Sequence, residues 1–209
     1  MKKWYESRIL PRIINRVCAC GPAMKQRAKI VPHATGRVLE IGIGSGLNLS
    51  FYNPDQVERI FGIDPSAEIL EIAQENLTDL PFEVELFAKG AESIPLEDKS
   101  IDTIIYTYTL CTIPDLETAF TEMRRVLKPG GQMLFCEHGK APDIAVQKWQ
   151  NRIQPLWKPF SGGCHLNRDI PKLIEQGGFS IQQLDSMYIP GPKFASFNYW
   201  GSASVRSTQ

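Results

Sequence analysis

The stretch V-L-E-I-G-I-G-S-G-L, running from Val38 to Leu47, decides how the rest of the chain is read. It starts as a short apolar strand, sets an acid at Glu40, and then places glycine at Gly42, Gly44 and Gly46. A strand that breaks into closely spaced glycines and re-enters helix brings backbone amides close to a ligand in a crevice. The first strand is expected over Arg37 to Ile41, with a helix opening at Leu47 and ending before Asn53-Pro54.

Outward from this turn, strand and helix patterns alternate. Val57 to Ile63 reads as a buried strand ending in Asp64-Pro65-Ser66, and Ser66 or Asp64 can cap a helix over 67–76. Phe82 to Ala88, Ile101 to Thr107 and Gln132 to Cys136 read as three further strands. Ile101 to Thr107 is nearly all apolar or β-branched after Asp102, as a central parallel strand requires. A helix beginning at Pro114-Asp115 stops before Lys128-Pro129-Gly130-Gly131. Beyond Glu137-His138 a helix is expected over Asp143 to Ile153, then an ordered Pro-, Gly- and aromatic-rich lid over Pro155 to Arg168. A short helix over Asp169 to Gln176 and strands at Phe179 to Leu184 and within Ala195 to Val205 close the pattern. Two helices, about 4–18 and 22–31, precede the turn and part at Gly21-Pro22. The succession predicts an α/β, Rossmann-like, doubly wound sheet with an N-terminal helical cover.

Composition sets the bounds. A chain of 209 residues with 43% hydrophobic content suits one α/β domain. Its expected parts are N-terminal helices over 1–35, a cofactor-binding core over 36–138, a helical acceptor-site lid over 139–178 and closing strands over 179–209. Lys plus Arg and Asp plus Glu balance at 23 each, which disfavours nucleic acid as the main partner. Cys18, Cys20, Cys111, Cys136 and Cys164 are odd in number and widely scattered, resembling neither a disulfide framework nor a zinc knuckle. No metal site is therefore expected, and a reducing, cytoplasmic setting is the natural reading. Met1-Lys2-Lys3 is not followed by the apolar core of a secretory signal, and no window approaches the ~20 apolar residues that cross a bilayer. A basic amphipathic helix carrying Trp4, Ile9, Leu10, Ile13, Ile14 and Val17 is read as a cover for the domain, with peripheral membrane contact as the alternative. Oligomeric state leaves no signature.

Two cofactor classes fit a strand–glycine–helix start. A dinucleotide site uses G-x-G-x-x-G, whose third glycine lets helix and strand pack closely beneath a pyrophosphate. Here the third glycine comes one residue early and Leu47 takes its place. Glu40 is a poor neighbour for a pyrophosphate and a good partner for the positive end of an amino-acid-bearing sulfonium. Asp64, at the end of the second strand, can accept hydrogen bonds from both ribose hydroxyls of a nucleoside. Its alternative role is a helix cap.

The order E-x-G-x-G-x-G resembles the first motif of class I S-adenosylmethionine-dependent methyltransferases. Y-T-L-C-T-I-P-D (Tyr108 to Asp115), R-V-L-K-P-G-G (Arg125 to Gly131) and F-C-E-H-G-K-A-P-D (Phe135 to Asp143) follow at the spacing of that class. With W-Q-N-R-I-Q-P-L-W-K (Trp149 to Lys158) and G-G-C-H-L-N-R-D (Gly162 to Asp169), the chain is similar to the methyltransferase-like thiol S-methyltransferases and, more distantly, to the ubiquinone/menaquinone methyltransferases. The resemblance implies a seven-stranded, mostly parallel sheet with its last strand antiparallel. It implies S-adenosyl-L-methionine as cofactor, S-adenosyl-L-homocysteine as product, and a small-molecule acceptor, small or lipophilic and preferably a thiol.

By that resemblance Gly42, Gly44 and Gly46 cradle the methionine end and Asp64, with Pro65 beside it, fixes the ribose. The class often carries an acid where Gly90 stands, so adenine falls to the Ala91 backbone and Glu92, and Tyr108 borders the donor. A thiol of ordinary pKa about 8.5 is already a few per cent thiolate near neutrality, so it asks little of a base. His138 is the first candidate for a base or substrate-orienting residue and His165 the second. Cys111 and Cys164 are read as packing residues, Trp149 and Trp157 as aromatic walls of the acceptor site, and Arg168 as a fastener of the lid. The alternatives are methylation of carbon, oxygen or nitrogen on a quinone-like or lipid acceptor, an NAD-dependent oxidoreductase, which Leu47 disfavours, and an inactive donor-binding module.

Overall fold

A computed structural model of the chain describes residues 15–206. Trp4, Ile9, Leu10, Ile13 and Ile14 of the expected first helix lie outside the described residues, while residues 15–18 are helical and Val17 is exposed. The elements follow as α1 (Gly21–Ile30), β1 (Gly36–Ile41), β2 (Val57–Ile63), α2 (Ala67–Glu75), β3 (Glu83–Phe87), β4 (Ile101–Thr107), α3 (Leu116–Val126), β5 (Leu127–His138), α4 (Ile144–Phe160), α5 (Ile170–Gln176), β6 (Phe179–Tyr188) and β7 (Phe197–Val205). The strands form one seven-stranded sheet in the order β3-β2-β1-β4-β5-β7-β6. β7 runs antiparallel to both of its neighbours, β5 and β6, and the other pairings are parallel.

The pleat sorts side chains between two layers. Leu39, Ile41, Ile104, Tyr106 and Phe135 pack with Phe120 and Met123 of α3 and Ile170 and Ile174 of α5. Val38, Ile60, Ile105 and Leu134 pack on the opposite side with Ile30 of α1. Two helices, α2 and α3, are opened by side-chain caps. Ser66 Oγ accepts from Ile69 N at 3.4 Å to open α2, and Asp115 accepts from Thr118 N at 3.1 Å to open α3. Arg124 and Arg125 occupy the last turn of α3, where they complement its dipole.

Four elements depart from expectation. No α-helix follows the glycine turn, only a short 3-10 turn at Leu49–Phe51. Gly46 N bonds Ile43 O, Leu49 N bonds Gly46 O and Phe51 N bonds Asn48 O, a three-residue spacing that Pro54 ends before a longer helix can form. β5 begins at Leu127, five residues early, because Leu127 already pairs with Ile101 and the Lys-Pro-Gly-Gly run bulges out before Gln132 meets Thr103. β6 extends to Tyr188 by pairing along β7.

The fourth departure is α4, which runs through Pro155 to Phe160. A proline inside a helix forfeits one backbone bond and crowds the preceding turn. Pro155 and Pro159 are four residues apart on the exposed side, so the freed carbonyls meet water. The buried side is held by two glutamines. Gln150 accepts from Ala141 N (3.0 Å) and shares its two amide hydrogens among the carbonyls of Gly139 (2.9 Å), Leu166 (2.9 Å) and Phe194 (3.1 Å). Gln154 accepts from Leu166 N (2.7 Å) and donates to Cys164 O (3.1 Å). These bonds tie the segments around residues 140, 165 and 194 to one helix face.

Candidate active site

Parallel strands leave a crevice beyond their carboxyl ends, at the point where the strand order reverses. In this sheet that point lies between β1 and β4, and a cavity of about 420 Å³ opens there. Its walls include Gly42, Gly44, Asp64, Pro65, Ala91, Glu92 and Tyr108, all named from the sequence. Gly42 has φ +68, and a Cβ on it would run into the Thr109 side chain, so only glycine lets the turn pass beneath that residue. Asp64 pins the turn from the neighbouring strand. Its Oδ2 accepts from Gly44 N at 3.2 Å and its Oδ1 from Ser66 N at 2.9 Å. Burial pushes its carboxyl pKa up, against the pull of those two amides. Ser66 is thus the helix cap, and Asp64 is left facing the cavity.

Glu40 is placed elsewhere. It shares the pleat face of Val38, beneath α1, is 1% exposed and does not line the cavity. Tyr52 OH donates to Glu40 Oε2 at 2.6 Å and Asn48 Nδ2 to Oε1 at 2.9 Å. Its role in this structure is to fasten the chain after the turn. Burial pushes its pKa up to about 7, against the pull of Tyr52, Arg27 and Asn48. A folded pKa above the unfolded value of about 4.5 means that the native state holds the extra proton. The stabilising contribution is full below about pH 4.5 and is lost as pH rises through about 7. Unfolding of Glu40→Gln, followed in urea, should gain on the wild type by about 2–3 kcal/mol between about pH 5 and pH 8. A pH-independent difference would contradict the assignment.

Arg27, which sequence reading missed, reaches the cavity from α1 and is 4% exposed. It donates to Asn48 Oδ1 at 2.9 Å and to Thr107 Oγ1, and its guanidinium lies 5.2 Å from the centre of the Tyr108 ring. Its buried Nε has no hydrogen-bond partner among the described residues. No carboxylate neutralises it within 4 Å among those residues, so a buried cation is left facing the cavity. The only sequence cue was an arginine at a position of α1 whose neighbours face the sheet. Tyr108 itself adopts φ 56, held by Tyr108 N to Cys136 O (2.8 Å) and by Tyr108 OH to Asn198 Oδ1 (2.7 Å). A non-glycine residue kept in that region costs of order 1–3 kcal/mol and is typical of ligand-facing positions.

Gly46 sits under Leu49, outside the cavity wall, between Ser45 and Leu47, which do line it. Neither histidine lines the cavity. His138 stands one layer back, its ring stacked at 6.5 Å on Tyr108 and its Nε2 3.2 Å from Cys164 Sγ. Burial alone would lower its pKa, but Cys164 beside it holds the value above the ordinary range. His165 is part exposed and its pKa is lowered, by burial first and by Arg168 and Lys158 next. Trp149 is 59% exposed on the outer side of α4 and Trp157 packs edge-on against Phe194 at 5.9 Å, so neither tryptophan forms a cavity wall. Arg168 bridges the carbonyls of Leu110 and, at 2.9 Å, Ile113, fastening the loop after α4 to the loop after β4.

The methyltransferase domain family matches residues 39–135. Thiol S-methyltransferase TMT1B of Rattus norvegicus is 34% identical over 152 residues, covering 71% of this chain and 62% of the relative. Thiol S-methyltransferase TMT1A of Homo sapiens is 32% identical over 157 residues, covering 73% of this chain and 64% of the relative. The matched part of the chain thus spans somewhat under two thirds of the length of these relatives. Among solved structures, a SAM-dependent methyltransferase from Methanosarcina mazei superposes with a TM-score of 0.65 at 20% identity, covering 82% of this chain and 93% of that one. The cavity fits the cofactor of that family. An acid at the end of β2 faces it, a glycine turn offers close backbone approach, and the buried Arg27 Nε has no partner among the described residues. By sheet order, turn and sequence, the chain belongs to the class I S-adenosylmethionine-dependent methyltransferases and is related to their thiol S-methyltransferase branch.

Proposed function

We propose that the protein transfers the methyl group of S-adenosylmethionine to the sulfur of a small, lipophilic thiol. The carrying observation is the cavity at the switch point, with Asp64 and the glycine turn at one end and the loops after β4 and α4 at the other. The names of the TMT1A and TMT1B relatives support sulfur as the accepting atom. The cofactor supplies an electrophilic methyl group. Asp64 accepts from the ribose hydroxyls, the turn from Gly42 to Gly46 follows the amino-acid portion, and Pro65, Ala91, Glu92 and Tyr108 border the nucleoside and the sulfonium.

Methyl transfer needs a near-linear approach, and fixing both partners in one site supplies up to ~7–11 kcal/mol in ideal intramolecular systems. The chain's own contribution is therefore positional. His138 orients the acceptor side through Tyr108, and His165 is the second candidate for a proton acceptor. The whole chain acts as one domain, with 139–178 covering the acceptor, in a cytoplasmic setting. None of the described helices is long and apolar enough to cross a membrane.

Arg27 is assigned the methionine carboxylate of the donor. Arg27→Met should weaken S-adenosylhomocysteine binding about 10–100-fold in calorimetry and leave 5′-methylthioadenosine, which has no carboxylate, unchanged. Equal losses for both ligands would contradict the assignment. The activity itself is tested by incubating the protein with methyl-labelled S-adenosylmethionine and acceptors matched in size and apolarity: an alkyl thiol, a phenol, a quinol and an amine. Label is expected in the thioether. Label in the quinol ring or the amine, with none on sulfur, would overturn the reading.

A further inference from the structure

Three side chains far apart in the sequence converge behind the cavity wall. Cys111 follows β4, His138 ends β5 and Cys164 lies in the loop after α4, and their ligating atoms all lie within 4.8 Å of one another. His138 Nε2 is 3.2 Å from Cys164 Sγ. Cys111 is 2% exposed and Cys164 7% exposed. Both cysteines are free, and the His138 imidazole stands against them. Sulfur is a weak hydrogen-bond partner for the ring nitrogen Nε2, and His138 Nδ1 is buried without a partner among the described residues.

The backbone carrying these groups is fixed. His165 N donates to Cys111 O at 2.9 Å, Gln154 Nε2 to Cys164 O at 3.1 Å, and Arg168 ties the two loops together. Two thiols and one imidazole are the donor set of zinc-type cations, and three protein ligands leave one tetrahedral position for a further group. Metal–sulfur and metal–nitrogen bonds of about 2.3 and 2.0 Å separate neighbouring donors by roughly 3.4–3.8 Å, which side-chain rotation within this cluster can reach. The site also borders the cavity. Tyr108 stacks on His138, Thr112 adjoins Cys111, and Gly162 stands two residues before Cys164; all three of these neighbours line the wall.

We propose that Cys111, His138 and Cys164 bind a zinc-like divalent cation whose fourth position, on the cavity side, takes the sulfur of the acceptor. The fourth position rests on the thiol reading above. There the acceptor's S–H bond breaks, its sulfur coordinates as thiolate, and its proton passes to solvent; a coordinated thiol is deprotonated outright. His138 is then a ligand and not the base.

The reduced, chelator-stripped full chain is titrated with Co²⁺ in the absence of S-adenosylmethionine. One equivalent should bind, with thiolate-to-metal charge-transfer bands in the near ultraviolet and intense tetrahedral bands in the visible, and Zn²⁺ should displace it. Cys111→Ser and Cys164→Ser should each weaken binding at least ~100-fold, and the exposed, remote His33→Gln should leave it unchanged. Addition of an alkyl thiol should shift the charge-transfer bands. Absent binding, binding without charge-transfer bands, equal affinity in either serine variant, or loss of two mass units to a Cys111–Cys164 disulfide on metal addition would overturn the site. Bands indifferent to thiol would overturn the fourth position. Failure here is distinguishable from failure of the thiol reading. A metal-free chain that methylates thiols as fast as the metal-bound one sinks the fourth position alone, and a cobalt-binding chain that methylates only amines sinks the acceptor.

Discussion

Asp64→Ala should lower the affinity for S-adenosylhomocysteine by about 100- to 1,000-fold in calorimetry. Two ribose hydroxyls bonded to a carboxylate are charge-assisted contacts of about 1.5–3 kcal/mol each, and about 1.4 kcal/mol is tenfold. The variant is expected to stay folded. Burial already raises the pKa of Asp64, so removing the carboxylate relieves a desolvation cost while it frees the amides of Gly44 and Ser66. Asp64→Asn, which keeps an acceptor oxygen but no charge, should fall between the two. Unchanged affinity in a folded Asp64→Ala chain would remove the ribose assignment and leave Asp64 as a fastener of the turn.

Gln150→Leu should cost about 3–5 kcal/mol in urea unfolding, a larger loss than an apolar replacement of similar size ordinarily brings. Gln150 is fully buried, and its side chain serves the amide of Ala141 and the carbonyls of Gly139, Leu166 and Phe194. The leucine would leave those four groups unpaired beneath α4, each buried orphan costing about 1–3 kcal/mol before relaxation. The loop carrying Cys164 would loosen with it, since Leu166 is one of the bonded residues. A loss below about 1 kcal/mol would show that water replaces the glutamine and that α4 is held by packing alone.

These effects separate what sequence periodicity carries from what it does not. β2 and β4 were legible to the residue, since Val57–Ile63 and Ile101–Thr107 are short apolar runs bounded by turn residues. Asp64, Pro65, Ala91 and Glu92 were legible as walls of one cavity because each follows a parallel strand at the carboxyl edge of the sheet. The side of the sheet that Glu40 faces was also legible in the alternation. Two positions after Val38 on the same strand, it faces the α1 layer and not the crevice. Arg27, Gln150 and the meeting of Cys111, His138 and Cys164 depend on how loops and helices close in three dimensions, and no local pattern encodes them. The prolines of α4 argued for a break where buried glutamine bonds on the opposite face sustain the helix.

Methyl transfer from S-adenosylmethionine to a thiol within this cavity can be read in a single turnover. The protein is loaded with one equivalent of methyl-labelled S-adenosylmethionine, mixed with an alkyl thiol and quenched for mass spectrometry. One equivalent each of S-adenosylhomocysteine and labelled methyl thioether is expected, appearing together and abolished by Asp64→Ala. S-adenosylmethionine that binds and returns intact in the presence of thiols, while another acceptor takes the label, would contradict it.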